Sequence, residues 1–158
     1  MATVLLFHHA QGQTPGFLTF ADELRAAGHT VHAPDLPAEI VYAGFSLGVL
    51  PAQALAQTRP GARGALFFHG CVAPAEFGTS WPEAVPLQVH MMDADAWAEE
   101  DRAVAEALAD EIPTAELFLY PGSAHLFADA SSDDYDERAA ALLMERTLAF
   151  LHRVGETL

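Results

Sequence analysis

Ile40-Val41-Tyr42-Ala43-Gly44-Phe45-Ser46-Leu47-Gly48-Val49-Leu50 is the stretch on which the reading of this chain turns. Residues 40–45 are an apolar run of strand-forming side chains. Residues 47–58 carry a helical pattern in which Pro51 falls in the first turn, where a missing N–H is tolerated. Between the two, Gly44-Phe45-Ser46-Leu47-Gly48 satisfies G-x-S-x-G at a strand-to-helix junction, the context in which a sharp turn projects a serine hydroxyl from the edge of a sheet. Glycines on either side remove Cβ atoms that would collide in so tight a turn. A serine capping a helix after a glycine turn is the plainer reading of the same string; its placement after an apolar strand favours the nucleophile.

The pattern continues on both sides of this junction. Residues 3–7 read as a short buried strand, Phe17, Phe20, Ala21 and Leu24 recur at helical spacing, and Gly28 stands where a helix ends. Residues 29–33, 63–69, 87–92 and 116–120 read as further strands, with helices over 96–110 and 135–154. Strands alternating with helices predict an α/β fold, a mostly parallel sheet with helices on both faces, in one domain spanning 1–158. One connection breaks the pattern. Only Asp35, Leu36, Pro37, Ala38 and Glu39 separate Pro34 from Ile40, whereas parallel neighbours need a crossover of about a dozen residues or more. The chain is therefore shortened between these two strands, and three readings stay open: residues missing here, strands exchanged in a homodimer, or an unusual topology.

Composition narrows the class of partner. Twenty-two Asp and Glu face seven basic residues, all arginine, for a formal charge of −15. A surface so acidic repels phosphate backbones, so nucleic acid is not expected as a partner. No apolar run reaches the length of a membrane span, and the first residues lack the basic segment of a secretory signal. With one cysteine, Cys71, no internal disulfide can form. The expectation is a cytoplasmic protein that takes a small molecule rather than a membrane or nucleic acid.

A serine hydroxyl is a weak nucleophile until a base takes its proton, so Ser46 predicts a histidine and an acid later in the chain, in the order Ser, Asp or Glu, His. Pro121-Gly122-Ser123-Ala124-His125 directly follows the last strand, and His125 is the only histidine between His90 and His152. The acid should follow the strand 87–92, which offers Asp93 and Asp95; Asp95 is preferred, leaving Asp93 as a loop or capping carboxylate. Two backbone N–H groups should meet the developing oxyanion: that of Leu47 and one from the early loop, assigned to Ala10. His9, His69 and Trp97 are candidate pocket residues. Neighbouring His8 and His9 on a strand would point to opposite faces and cannot chelate together, and no other ligand spacing argues for a metal. Cys71 reads as a small buried hydrophobe.

The elbow at Ser46, the loop with Asp95 and the Tyr120-Pro121-Gly122-x-x-His125 segment resemble the dienelactone hydrolase family of the α/β-hydrolase superfamily; Ala33-Pro34-Asp35-Leu36 is similar to the family's P-D-L stretch. The resemblance implies a hydrolase of small carboxylic esters or lactones that needs neither metal nor organic cofactor. The chain departs from the family twice: founding members use cysteine as nucleophile, and members carry a longer segment before the elbow. The second departure keeps an alternative open, a non-catalytic or regulatory module that binds a small ligand on the same fold.

Overall fold

The computed structural model describes residues 1–7, 13–35 and 39–156. The chain divides into two compact units, Met1–Ala38 and Glu39–Leu158.

In the first unit, β1 (Thr3–Leu5) and β2 (Thr30–His32) pair in parallel, with Thr3 opposite Thr30 and Leu5 opposite His32. The helix that joins them, α1 (Pro15–Ala26), begins where the Thr14 side chain accepts the Phe17 N–H, with Pro15 in the first turn. It ends at Gly28, which takes φ +90° and so lets the chain reverse into β2.

The second unit is a four-stranded parallel sheet in the order β3 (Ile40–Phe45), β4 (Ala62–Phe68), β5 (Leu87–Met92), β6 (Ala115–Tyr120). Its helices are α2 (Val49–Thr58), α3 (Glu99–Glu111) and α4 (Glu137–Gly155). Every residue of β5 is buried, as expected of an inner parallel strand covered on both faces. Alternate side chains feed two cores. Ala65, Phe67, Val89 and Met91 meet Val49, Ala52 and Ala56 of α2 and Ala105 and Leu108 of α3; Leu66 and Phe68 meet Leu143, Phe150 and Val154 of α4. The strand order explains the division. Crossovers of one hand that step steadily across a sheet all fall on one face, so the other face waits for the helix after the last strand.

β2 and β3 are not paired with each other among the described residues, and residues 36–38 of the short connection between them lie outside the described ones. Two helix starts also differ from the sequence reading. α3 begins at Glu99 rather than 96, because the Asp95 carboxylate accepts the Trp97 N–H and the chain is still turning there. α4 begins at Glu137 rather than 135, behind Asp136, whose side chain accepts the Ala139 N–H.

Candidate active site

The turn after β3 is built as the motif requires. Ser46 has φ +49°, a region that side chains other than glycine seldom occupy. A Cβ on Gly44 would stand 2.1 Å from the Gly48 carbonyl oxygen, so the turn closes only because Gly44 lacks one. Gly48 is different: nothing among the described residues lies within 4 Å of a Cβ placed there. The sequence reading gave both glycines a steric role, and only Gly44 has it. Ser46–Gly48 forms a single 3₁₀ turn that runs straight into α2.

The loops after β5 and β6 bring the acid and the histidine to the serine. Ser46 Oγ lies 2.8 Å from His125 Nε2, and His125 Nδ1 lies 2.6 Å from Asp95 Oδ2. An ionised carboxylate only accepts, so the proton between these two rests on Nδ1, leaving Nε2 free to accept the Ser46 O–H. The Asp95 side chain is 1% exposed, and its second oxygen accepts the Trp97 N–H at 2.9 Å. Asp93 ties the two loops together: its Oδ1 accepts the Gly122 N–H, and the Ala94 N–H donates to the Gly122 carbonyl. Of the two aspartates, Asp95 meets the imidazole and Asp93 holds the loop that carries it.

Two clefts open on either side of this chain and share Ser46, Leu47 and His125. One, of about 600 Å³, is walled by Phe45, Leu126, Ala128 and Asp129; the other, of about 530 Å³, by Leu50, Val72, Trp97 and Asp101. Both lie at the C-terminal ends of the strands, where open α/β sheets bind ligands. A further cavity of about 420 Å³ among Ala62, Arg63, Glu116 and Phe150 lies at the opposite ends of the strands and contains no nucleophile.

The second cleft was not legible as a whole. Gln53 of α2 anchors its wall, donating to the Val72 carbonyl at 2.6 Å and accepting the Val72 N–H. Asp101 accepts the Cys71 N–H at 3.1 Å. Neither residue stands in a motif; each was a polar side chain inside a helical pattern. Cys71 itself is fully buried, and burial, with the Asp101 charge beside it, pushes its thiol up to about 12, so it holds its proton. Leu47 flanks both clefts. Ala10 and His9 fall outside the described residues. No group of three or more His, Cys, Asp or Glu suited to a metal ion occurs among the described residues, and no described helix is long and apolar enough to cross a membrane.

His69, at the end of β4, lies beneath the cleft with φ +65° and 1% exposure, and neither ring nitrogen has a partner among the described residues. Burial first, and then the nearby His125, lower its pKa to about 4. His90 is stacked between Phe68 and Phe118, bonded to Tyr120 Oη and Gln88 Oε1, and lowered to about 3, again chiefly by burial. Both are neutral in the fold, whereas the unfolded chain protonates them near the usual 6.5. Their stabilisation is therefore present above pH 6.5 and is lost as pH falls from there towards 4 and 3. Between pH 8 and pH 5 each removes about 2 kcal/mol, so urea midpoints measured across that range should fall steeply. In His69→Asn, which tolerates the positive φ, about half of that pH dependence should disappear.

The chain matches the model of the Dienelactone hydrolase family over residues 20–155. None of the curated proteins matches the sequence. Among solved structures it is similar to a protein from Klebsiella pneumoniae subsp. pneumoniae assigned as a dienelactone hydrolase, at 16% identity and a TM-score of 0.53, over 94% of this chain and 85% of that one. It is also similar to esterase 2 of the planctomycete Thermogutta terrifontis. With propionate bound, that structure gives 19% identity and a TM-score of 0.56 over 98% and 83% of the two chains. Phosphoramylated by tabun, it gives 20% identity and a TM-score of 0.54 over the same shares. At these identities the structural likeness speaks for the fold, a parallel α/β sheet with helices on its faces. The family match, which takes in the elbow at Ser46 and the loops of Asp95 and His125, carries the assignment: the chain belongs to the dienelactone hydrolase family, a family of ester hydrolases on the α/β-hydrolase fold.

Proposed function

We propose that this chain hydrolyses small carboxylic esters or lactones through an acyl-enzyme on Ser46. The observation that carries the reading is the unbroken hydrogen-bond chain from Ser46 Oγ through His125 to Asp95, at 2.8 and 2.6 Å. In the first half-reaction Ser46 Oγ attacks the carbonyl carbon as its proton passes to His125 Nε2. The buried Asp95 carboxylate stabilises the imidazolium and keeps the ring in the orientation that its Nδ1–H requires. The oxyanion is received by backbone N–H groups, that of Leu47 among them. The tetrahedral species collapses when His125 returns the proton to the leaving oxygen, the C–O bond breaks and the alcohol departs. Water then repeats the sequence on the acyl-enzyme and frees the acid. Serine in place of cysteine makes the reaction depend on the base, because a hydroxyl, unlike a thiol, has no appreciable ionised fraction near neutral pH.

Asp95→Asn tests this reading while keeping the shape of the site. An amide at this position offers His125 Nδ1 either a carbonyl or an N–H and removes the charge that supports the imidazolium, so kcat for a short-chain p-nitrophenyl ester should fall by about 10⁴-fold. KM should move little, because the acid does not touch the substrate. A loss of less than about tenfold in a folded variant would contradict the role given to Asp95.

A further inference from the structure

Both clefts beside Ser46 are lined mainly by apolar surface, and each carries one carboxylate and one exposed aromatic, Asp129 with Phe45 in the first and Asp101 with Trp97 in the second. Of the two aromatics, the indole of Trp97 is the more open. Trp97 is 85% exposed, and its ring centroid lies 6.4 Å from that of His125. Its backbone N–H is bonded to Asp95, the residue that also meets His125. Asp101, four residues on, uses Oδ2 to accept the Cys71 N–H, while Oδ1 has no hydrogen-bond partner among the described residues. His69, also lining this cleft, is neutral and adds no positive charge there. The chain has no lysine, and none of its seven arginines lines either cleft. Arg102, next in sequence to Asp101, is turned instead to Glu106 and the Asp93 carbonyl.

We infer that the cleft bounded by Trp97 and Asp101 is a subsite for a positively charged leaving group, so that the preferred substrates are esters or thioesters of amino- or ammonium-bearing alcohols and thiols. This rests on the proposed acyl-enzyme reading. In that reading His125, which borders both clefts, hands its proton to the departing atom, and the leaving group is assigned to the cleft that carries Trp97. A cation there meets an indole face, the strongest of the aromatic partners for an ammonium, together with an unpaired carboxylate oxygen. An anionic leaving group would meet the same carboxylate inside a molecule of charge −15 and be repelled.

The test compares kcat/KM, read by thiol release, for three thioesters of similar size: acetylthiocholine, its uncharged carbon isostere S-(3,3-dimethylbutyl) thioacetate, and the anionic S-acetyl-3-mercaptopropionate. The cationic ester should exceed the neutral one by about fivefold and the anionic one by more than about tenfold, and both ratios should shrink in about 0.5 M salt as the charges are screened. Asp101→Asn keeps an oxygen for the Cys71 N–H and should lower the cation-to-neutral ratio from about fivefold to about threefold, the share that Trp97 supplies. Asp101→Glu should retain the preference, and Asp110→Asn, which removes the same charge at the far end of α3, should leave the ratio as it was. Trp97→Leu should lower the ratio by about threefold. Equal turnover of the cationic and neutral esters by the unaltered protein would overturn the inference and leave the triad standing. Failure to turn over any of the three, with no labelling of Ser46 by a fluorophosphonate, would remove the acyl-enzyme reading and the subsite with it.

Discussion

Ser46→Ala should lower kcat for a short-chain ester by about 10⁵- to 10⁶-fold while leaving the protein folded. The size of the effect follows from the geometry. Ser46 Oγ is the atom that His125 Nε2 reaches at 2.8 Å, and without it no acyl-enzyme can form. What survives is the binding of substrate and the polarisation of its carbonyl by backbone donors, which sustain only a small residue of catalysis. His125→Ala should cost a comparable factor, and the double variant little more than either, because groups that act as a unit are not additive. Alanine can occupy the strained φ of +49° no worse than serine, so the thermal midpoint should stay within a few degrees or rise, as happens when a site is relieved of its functional strain. Retained turnover in Ser46→Ala would mean that another group performs the chemistry.

Gly44→Ala should damage the site by a different route, through the backbone of the turn rather than the reacting atom. The added Cβ would lie 2.1 Å from the Gly48 carbonyl oxygen, 2.3 Å from the Gly48 carbonyl carbon and 2.7 Å from the Val49 nitrogen. All three are backbone atoms of the turn itself, and none can swing away as the end of a side chain could. The elbow must therefore open, at a cost of about 3 kcal/mol or more. The opening displaces Ser46 from His125, and an ångström of misplacement is worth about 100-fold in rate. Gly48→Ala is the control. Gly48 has φ −67° and no described atom within 4 Å of the added carbon, so stability should change by less than about 0.5 kcal/mol. Chemical denaturation and ester turnover of the two variants, measured together, separate the steric role of Gly44 from the mere presence of glycine in the motif. Similar behaviour of the two would contradict the description of the turn.

The parts of this architecture that announce themselves in sequence are those whose physical cause is local. The runs that form β3, β4, β5 and β6 are largely apolar because both faces of the sheet are covered. Ser46 stands in a turn whose steric demand writes itself as glycine two residues earlier. His125 and Asp95 were found by order and by position after strands, and Asp93 by default as the carboxylate left over. What stayed hidden is what depends on distant segments meeting. Asp101 and Gln53 sit in ordinary helical patterns, and only the fold turns them towards the residues 70–74 that follow β4. The unpartnered burial of His69 is likewise a property of what packs over it, Phe45 and Phe127 among them.

Covalent labelling shows whether Ser46 is an activated nucleophile. The purified protein would be weighed intact before and after exposure to a fluorophosphonate, and any adduct mapped by peptide sequencing. The account predicts one adduct per chain, located on Ser46, formed more slowly by about three to four orders of magnitude in Asp95→Asn and absent from Ser46→Ala. An unlabelled chain, or an adduct that maps elsewhere and persists in Ser46→Ala, would contradict it.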